Sequence, residues 1–174
     1  FGYAPGKVIL FGEHAVVYGQ PAVAGTIERG IRVAVTQRDG EHADGPLLKS
    51  HSMGLRARPD PNGEGPDSLR QALAVLVDLY GQRVRSLVFS AEGTIPAGAG
   101  LGSSAALAVA LLRGVQQVLG EPLLAGDALV ERAFALERVF PGNPSGVEHT
   151  PIALGGCVAS RRAPLAELPE LGLG

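Results

Sequence analysis

The sequence predicts an α+β fold, and three observations lead to that prediction. The chain has 174 residues, of which 45% are hydrophobic and 18% are charged, enough apolar material for one buried core. Polar and apolar residues alternate over Ile31–Gln37, as they do in a half-buried strand. Apolar residues recur at helical spacing over Asp67–Tyr80 and Asp127–Phe140. Strands mixed with helices, after a hairpin-like start, are typical of α+β domains.

Further strands are predicted on both sides of a long connection. The first is Lys7–Phe11, an apolar run that follows a Pro-Gly pair. The segment Arg38–Pro66 consists largely of Gly, Pro, Asp, His and Asn, which predicts a loop with at most one short strand, at Leu47–Met53. Two later strands are expected at Val84–Ala91 and at Thr150–Arg161, the latter interrupted by a Gly-Gly pair.

Three helices are predicted from apolar periodicity and from residues that begin or end helices. The first runs from Asp67, interpreted as its N-cap, to Tyr80, and Gly81 ends it. The second is Ser103–Leu119, which a further glycine ends, and the third is Asp127–Phe140. The residues expected to face the core from the first and third helices are Leu69, Ala72, Leu73, Leu76, Tyr80, Leu129, Ala133, Leu136 and Phe140.

The composition argues against several classes of protein. The net charge of −2 gives no basic surface for nucleic acid or for an anionic membrane, so neither is an expected partner. The longest apolar stretch, Ala105–Leu112, is too short to span a bilayer. A single cysteine, Cys157, argues against a disulfide framework or a cysteine-based zinc site. With no secretion signal apparent at the N-terminus, we expect a soluble, cytoplasmic protein.

The strongest motif is IPAGAGLGSSAA, Ile95–Ala106, between a predicted strand and a long helix. Its three glycines let successive backbone N–H groups approach an anion, and the helix N-terminus adds partial positive charge. Ser103 and Ser104 offer hydroxyl groups for a phosphate or a magnesium ion. The motif lacks the lysine of a P-loop and the third glycine of a dinucleotide fingerprint. A plain serine-capped glycine turn stays open, but phosphate binding is favoured.

Two other segments carry chemistry that spacing alone does not settle. In APGKVILFGEHAVVYG, Lys7 starts an apolar strand, and Glu13 and His14 follow that strand. Such a lysine either delivers a fixed positive charge to a phosphate or simply extends to the surface. In ERVFPGNPSGVEHT, Glu137 and Glu148 flank a tight turn. Two such carboxylates either hold a metal and act as a base or belong to an ordinary helix end.

Together the three segments resemble the GHMP kinase superfamily and, within it, the mevalonate kinase family. The first family motif matches Pro5–Gly19, the second matches Pro96–Ala106, and the turn before the catalytic acid matches Gly142–Val147. The resemblance spans roughly residues 4–160. It implies the N-terminal domain of such a kinase, with the ribosomal protein S5 domain 2-like fold: a mixed sheet with helices packed on one face.

The resemblance also implies an enzyme, a phosphotransferase that uses ATP and Mg²⁺ to phosphorylate the primary hydroxyl of mevalonate, its small-molecule substrate in isoprenoid synthesis. Lys7 and Glu148 match the catalytic positions, and Ser104 and Glu137 match the magnesium-binding positions. The residues that match the ATP-binding loop are Pro96, Ala97, Gly98, Ala99, Gly100, Leu101, Gly102, Ser103 and Ser104. Those that match the substrate pocket are Lys7, Glu13, His14, Ser145 and Gly146.

The chain departs from the family pattern in two ways. Glu148 stands where the family has aspartate, which moves the carboxylate by on the order of 1 Å, a displacement that costs roughly 10²-fold in rate where the backbone does not compensate. The third glycine-rich motif of the family, which belongs to a C-terminal domain, is not found in this sequence. We therefore expect a catalytic domain over residues 1–162 and the start of a linker to a second domain over residues 163–174.

Because of these departures, the chain by itself is predicted to bind ATP weakly and to turn over poorly. Two alternatives to mevalonate phosphorylation stay open: a nucleotide-binding module with impaired turnover, and a kinase for another small alcohol such as phosphomevalonate or a sugar. A homodimer also stays open.

Overall fold

A computed structural model describes residues 1–14, 18, 20–39, 44–96, 98–140 and 149–160. Strands and helices mix along the chain, and a 3₁₀ turn, Gly81–Val84, follows the first helix. In chain order the elements are β1 (Gly2–Phe11), β2 (Ala22–Gln37), β3 (Leu47–Ser50), β4 (Leu55–Ala57), α1 (Asp67–Tyr80), β5 (Leu87–Gly93), α2 (Ser103–Leu119), α3 (Gly126–Glu137), α4 (His149–Leu154) and β6 (Cys157–Ser160).

The six strands form one mixed sheet in the order β1-β2-β5-β3-β4. β6 pairs with residues 22–25 of β2, whereas β5 pairs with residues 31–37 of the same strand. β3 runs parallel to β5, and the other pairs are antiparallel. The mixed sheet and the α+β class are as expected from the sequence.

The helices and the sheet share one hydrophobic core. α2 is its centre because it is buried nearly all round, from Ala105 to Val115, and lies against β1 and β2. The close approach of helix and strand depends on Gly2, where a Cβ atom would lie 1.9 Å from the carbonyl oxygen of Ala110. No helix in the described ranges is long and apolar enough to cross a membrane.

The helices largely confirm the sequence prediction. α2 has the predicted limits, and the predicted inner faces of α1 and α3 are buried, with Phe140 packed partly buried against the core. The predicted N-cap at Asp67 is wrong, since Pro66 precedes the first turn and Asp67 is already helical. Its carboxylate instead accepts hydrogen bonds from the side chains of Arg70 and Gln71. α3 begins at Gly126 and ends at Glu137, three residues before the predicted end.

The strands depart further from the prediction. β1 begins at Gly2 and β2 at Ala22, earlier than expected, and register shifts at Pro5/Gly6 and Ile9/Phe11 accommodate residues that usually interrupt strands. The expected loop 38–66 contains the β3–β4 hairpin. The strand predicted from residue 84 begins at Leu87, because residues 81–84 form a 3₁₀ turn.

The last predicted strand is wrong in its first half. Residues 149–154 form the short helix α4, and only residues 157–160 form a strand. Pro151 is tolerated there because the first turn of a helix leaves its N–H groups unbonded. Ile152 and Ala153 are buried in the core, and the N–H group of Gly155 donates to the Pro151 carbonyl at 2.7 Å, which closes the helix.

Candidate active site

The glycine-rich loop, residues 96–102, connects β5 to α2. Gly98, Gly100 and Gly102 have φ values of 74°, 70° and 72°, in the left-handed region that favours glycine. A Cβ atom at Gly98 or Gly100 would meet nothing within 4 Å. The backbone conformation therefore requires glycine at these two positions. With no side chain there and no neighbouring atoms nearby, the backbone is accessible. Ala97 lies outside the described residues.

Gly102 differs from the other two because the loop closes here onto β1. A Cβ atom at this position would lie 2.9 Å from Cγ of Lys7 and 2.8 Å from Cδ1 of Ile152. The Lys7 backbone N–H also donates a hydrogen bond of 3.0 Å to the Leu101 carbonyl. Lys7 is only 2% exposed, which is unusual for a lysine. The structure thus brings the lysine of the first motif under the loop of the second.

α4 also supports this junction, and sequence reasoning missed it. Ile152 packs against the position of Gly102, and Arg113 of α2 donates to the Tyr3 carbonyl at 2.8 Å and to the Ala153 carbonyl at 3.0 Å. Arg113 therefore ties α4 and β1 to α2. The available signal was Ile152 and Ala153 as adjacent apolar residues after a proline, which fits a helix start as well as a strand.

A cavity of about 640 Å³ opens beside the loop. Ser103 and Ser104, at the N-terminus of α2, contribute polar lining, while Leu55, Leu69 and Phe140 contribute apolar lining. The backbone N–H groups and the partial positive charge of the α2 N-terminus favour an anion at its polar part. The cavity therefore combines a polar wall at a helix N-terminus with apolar walls, as small-molecule sites commonly do.

Glu137 is the last residue of α3 and is only 3% exposed. The N–H group of Phe140 donates to the Glu137 carbonyl at 2.9 Å, and Phe140 in turn lines the cavity. Among the described residues no group of three or more His, Cys, Asp or Glu side chains gathers as a metal site. The groups carried by Glu137 and Ser104, a carboxylate and a hydroxyl, are oxygen ligands of the kind magnesium takes, and proteins commonly hold it through one or two side chains together with substrate phosphates.

Other predicted site residues lie elsewhere or outside the described part. Glu13 and His14 are exposed in the turn after β1, and neither lines the cavity beside α2. Ser145, Gly146 and Glu148 lie outside the described residues. Of the predicted set, the structure brings together Lys7 and the glycine-rich loop, and it places Ser103 and Ser104 at the cavity.

Comparisons with known proteins agree with this arrangement. Residues 68–156, just over half of the chain, match the family model of the GHMP kinases N terminal domain. The mevalonate kinase of Aeropyrum pernix is 40% identical over 166 residues, covering 91% of this chain and 49% of that protein. The mevalonate kinase of Methanothermobacter thermautotrophicus is 36% identical over 156 residues, covering 89% and 48%.

A solved structure extends the comparison to three dimensions. The L. major mevalonate kinase, crystallised in complex with R-mevalonate, aligns with a TM-score of 0.75 at 25% identity and covers 92% of this chain and 48% of its own. The chain spans about half the length of the curated relatives it matches. From the matched family model and the shared fold, the chain belongs to the GHMP kinases, of which it carries the N-terminal domain.

Proposed function

We propose that this chain forms the ATP-binding part of a kinase that phosphorylates the primary hydroxyl of mevalonate. The observation that supports the proposal is the close approach of the buried Lys7 side chain to the glycine-rich loop at Gly102. The relatives from Aeropyrum pernix and Methanothermobacter thermautotrophicus are mevalonate kinases, and the L. major enzyme was crystallised with R-mevalonate. These names favour mevalonate as the acceptor.

The proposal gives the nucleotide one orientation at the cavity. The bare backbone at Gly98 and Gly100 and the start of α2 suit the negatively charged phosphates. The apolar walls formed by Leu55, Leu69 and Phe140 suit the nucleoside. With the phosphates at the loop, the base would lie toward the β3–β4 hairpin and the start of α1. The expected loop 38–66 would thus supply part of the base site.

Magnesium would be held by Ser104 and Glu137, the positions that match the family's metal ligands. It would offset charge on the ATP phosphates, as divalent ions do in phosphoryl transfer. The ammonium group of Lys7 would stabilise charge on the transferring phosphoryl group and on the reacting hydroxyl. Because phosphoryl transfer depends mainly on positioning and charge stabilisation, these groups account for most of what the reaction requires of this domain.

The acceptor side of the proposal rests on family resemblance. Glu148 would act as the base or as the charge partner of Lys7, and Glu13, His14, Ser145 and Gly146 would contact mevalonate. We further propose a cytoplasmic enzyme whose catalytic domain spans residues 1–162, with a second domain following the linker.

Transfer of labelled γ-phosphate from ATP tests the proposal directly. The full-length gene product would be incubated with Mg²⁺ and ATP, and with mevalonate, phosphomevalonate or galactose as acceptor in parallel. Label on mevalonate, with at least tenfold lower kcat/KM for the other two acceptors, is the expected result. Preferred transfer to phosphomevalonate or galactose would reassign the acceptor. A folded protein that binds ATP but labels none of the acceptors would instead identify a nucleotide-binding module.

A further inference from the structure

The turn between β3 and β4, residues 51–54, is fastened to β5 by one carboxylate. Oε1 of Glu92 accepts a hydrogen bond of 3.2 Å from the backbone N–H of His51. The pKa of the Glu92 carboxyl is lowered below its ordinary value, chiefly by interaction with the Ser52 side chain. The Ser52 hydroxyl lies 3.3 Å from that of Ser50, which extends the network into β3. Glu92 therefore holds the turn as an ionised acceptor.

The Ser50–Leu55 pair closes the hairpin at this turn, but among the described residues no backbone ladder joins the turn to β5. The parallel ladder between β3 and β5 pairs residues 47–49 with residues 88–90 and stops there. β4 has three residues, and in the described part of the chain it pairs with β3 alone. Glu92 lies two residues beyond Ser90, the last residue of β5 that pairs with β3. The Glu92 side chain thus connects the turn to β5 beyond the point where the backbone hydrogen bonds between β3 and β5 end.

The turn held in this way is a wall of the cavity. Ser52 and Met53 line it, and Glu92 lines it from the facing strand. Met53 is 54% exposed, so few neighbouring atoms fix its place. Ser103 and Ser104 line the same cavity from the phosphate side. A displacement of the turn would therefore alter the nucleoside side of the cavity and leave the phosphate side as it is.

We propose that Glu92 is a positioning residue for the nucleoside part of the nucleotide, because it fixes the turn that carries Ser52 and Met53. This inference rests on the proposed function, since it takes the cavity as the nucleotide site. Glu92 acts through the turn and takes no part in phosphoryl transfer. Its loss therefore weakens binding of the whole nucleotide while it spares the triphosphate contacts and the chemical step.

The test compares ATP with inorganic triphosphate, both with Mg²⁺, by calorimetry and steady-state kinetics on the full-length gene product. Glu92→Ala is expected to raise the Kd and KM for ATP about 3- to 10-fold, the effect of losing the hydrogen bond from His51 and the interaction with Ser52 at an exposed carboxylate. The Kd for triphosphate and the kcat should stay within twofold. Glu92→Gln keeps an acceptor oxygen and should retain most of the ATP affinity. Glu131→Ala, at an exposed glutamate of α3, is the matched control.

Ser52→Ala removes the hydroxyl group through which the turn interacts with Glu92 and Ser50. It provides a second variant in case Glu92→Ala unfolds the protein. It should raise the Kd for ATP about 2- to 4-fold, again without change for triphosphate. Equal weakening of ATP and triphosphate binding, or unchanged ATP binding in Glu92→Ala, would overturn the role of Glu92. A wild-type protein that phosphorylates mevalonate while both variants behave as wild type refutes this inference alone. A wild-type protein that does not bind ATP refutes the proposed function with it.

Discussion

Lys7 and Gly102 are interlocked: the lysine side chain runs so close to the glycine that a Cβ atom there would lie 2.9 Å from Lys7 Cγ and 3.4 Å from Lys7 Cε. The φ value of Gly102 is +72°, so the residue is also in the left-handed conformation. The position of the buried Lys7 side chain and the closure of the glycine-rich loop thus depend on the same contact, between Lys7 and Gly102.

Gly102→Ala should therefore weaken both folding and nucleotide binding. The left-handed conformation alone costs an alanine about 1 to 2 kcal/mol, and the contact with Lys7 and Ile152 adds to it. We expect a clearly lower urea concentration at the midpoint of unfolding and at least a tenfold increase in the Kd for ATP. Gly100→Ala is the control, since its φ of 70° carries the same conformational cost in open space. Equal effects at the two positions would contradict the interlock.

Lys7→Met should abolish most catalysis while keeping the fold. Methionine fills much of the space of the buried methylene groups and removes the ammonium charge. Loss of one charge-stabilising group lowers kcat by about 10²- to 10³-fold, whereas the Kd for ATP should change far less. Lys49→Met is the matched control, because Lys49 is the chain's other lysine and is exposed on β3. Turnover within tenfold of wild type would remove Lys7 from the catalytic set.

Arg113→Met should destabilise the domain without altering the residues that contact nucleotide. Two hydrogen bonds are lost, to the carbonyls of Tyr3 and Ala153. Burial lowers the pKa of the Arg113 guanidinium, so its removal also relieves a desolvation cost, and the net loss should be about 1 to 3 kcal/mol. Urea unfolding measures it, with the exposed Arg138→Met as control. If the free energy of unfolding falls no further in Arg113→Met than in Arg138→Met, apolar packing and not Arg113 holds α4 in place.

Glu148→Asp tests whether the departure from the family pattern is adapted to this chain. If the site is built around the longer side chain, aspartate falls short and kcat drops by roughly 10²-fold, since displacements of about 1 Å have effects of that size. We expect this drop, measured as labelled phosphate transfer by the full-length gene product. A rise in kcat of similar size would mean that Glu148 impairs turnover and would favour a nucleotide-binding module.

Ser104→Ala should raise the Mg²⁺ concentration needed for half-maximal activity several-fold, because Ser104 supplies one of the two proposed protein ligands. Ser103→Ala, at the neighbouring residue of the same cavity wall, should leave the Mg²⁺ requirement near that of wild type. Titration of activity with Mg²⁺ at fixed ATP distinguishes the two. The same change in both variants would argue that the serines only shape the cavity.

The sequence was sufficient to predict those elements for which the local residue pattern and the tertiary packing favour the same structure. α2 has its predicted limits because Gly102 and Gly120 both adopt left-handed conformations at its ends. The glycine-rich loop was recognisable because Gly98, Gly100 and Gly102 all adopt the left-handed conformation that favours glycine. These features need only neighbouring residues to be interpreted.

The remaining features depend on partners distant in the sequence. Pro5 and Gly6 belong to β1 because register shifts against β2 absorb them, and a local pattern does not reveal such shifts. Residues 151–154 are helical because Ile152 packs at the loop and Arg113 binds the Ala153 carbonyl. The burial of Lys7 likewise results from the loop that closes over it.

The place of β5 in the sheet has a consequence for how the domain folds. β1 with β2, and β3 with β4, are local hairpins whose strands follow each other along the chain, but β5 separates the two hairpins in the sheet. The two halves therefore have no shared ladder until residues 87–93 have been synthesised and inserted between them. In a ribosome-bound chain that ends before residue 87, the edges of β2 and β3 that β5 later covers are unpaired, a state that favours aggregation.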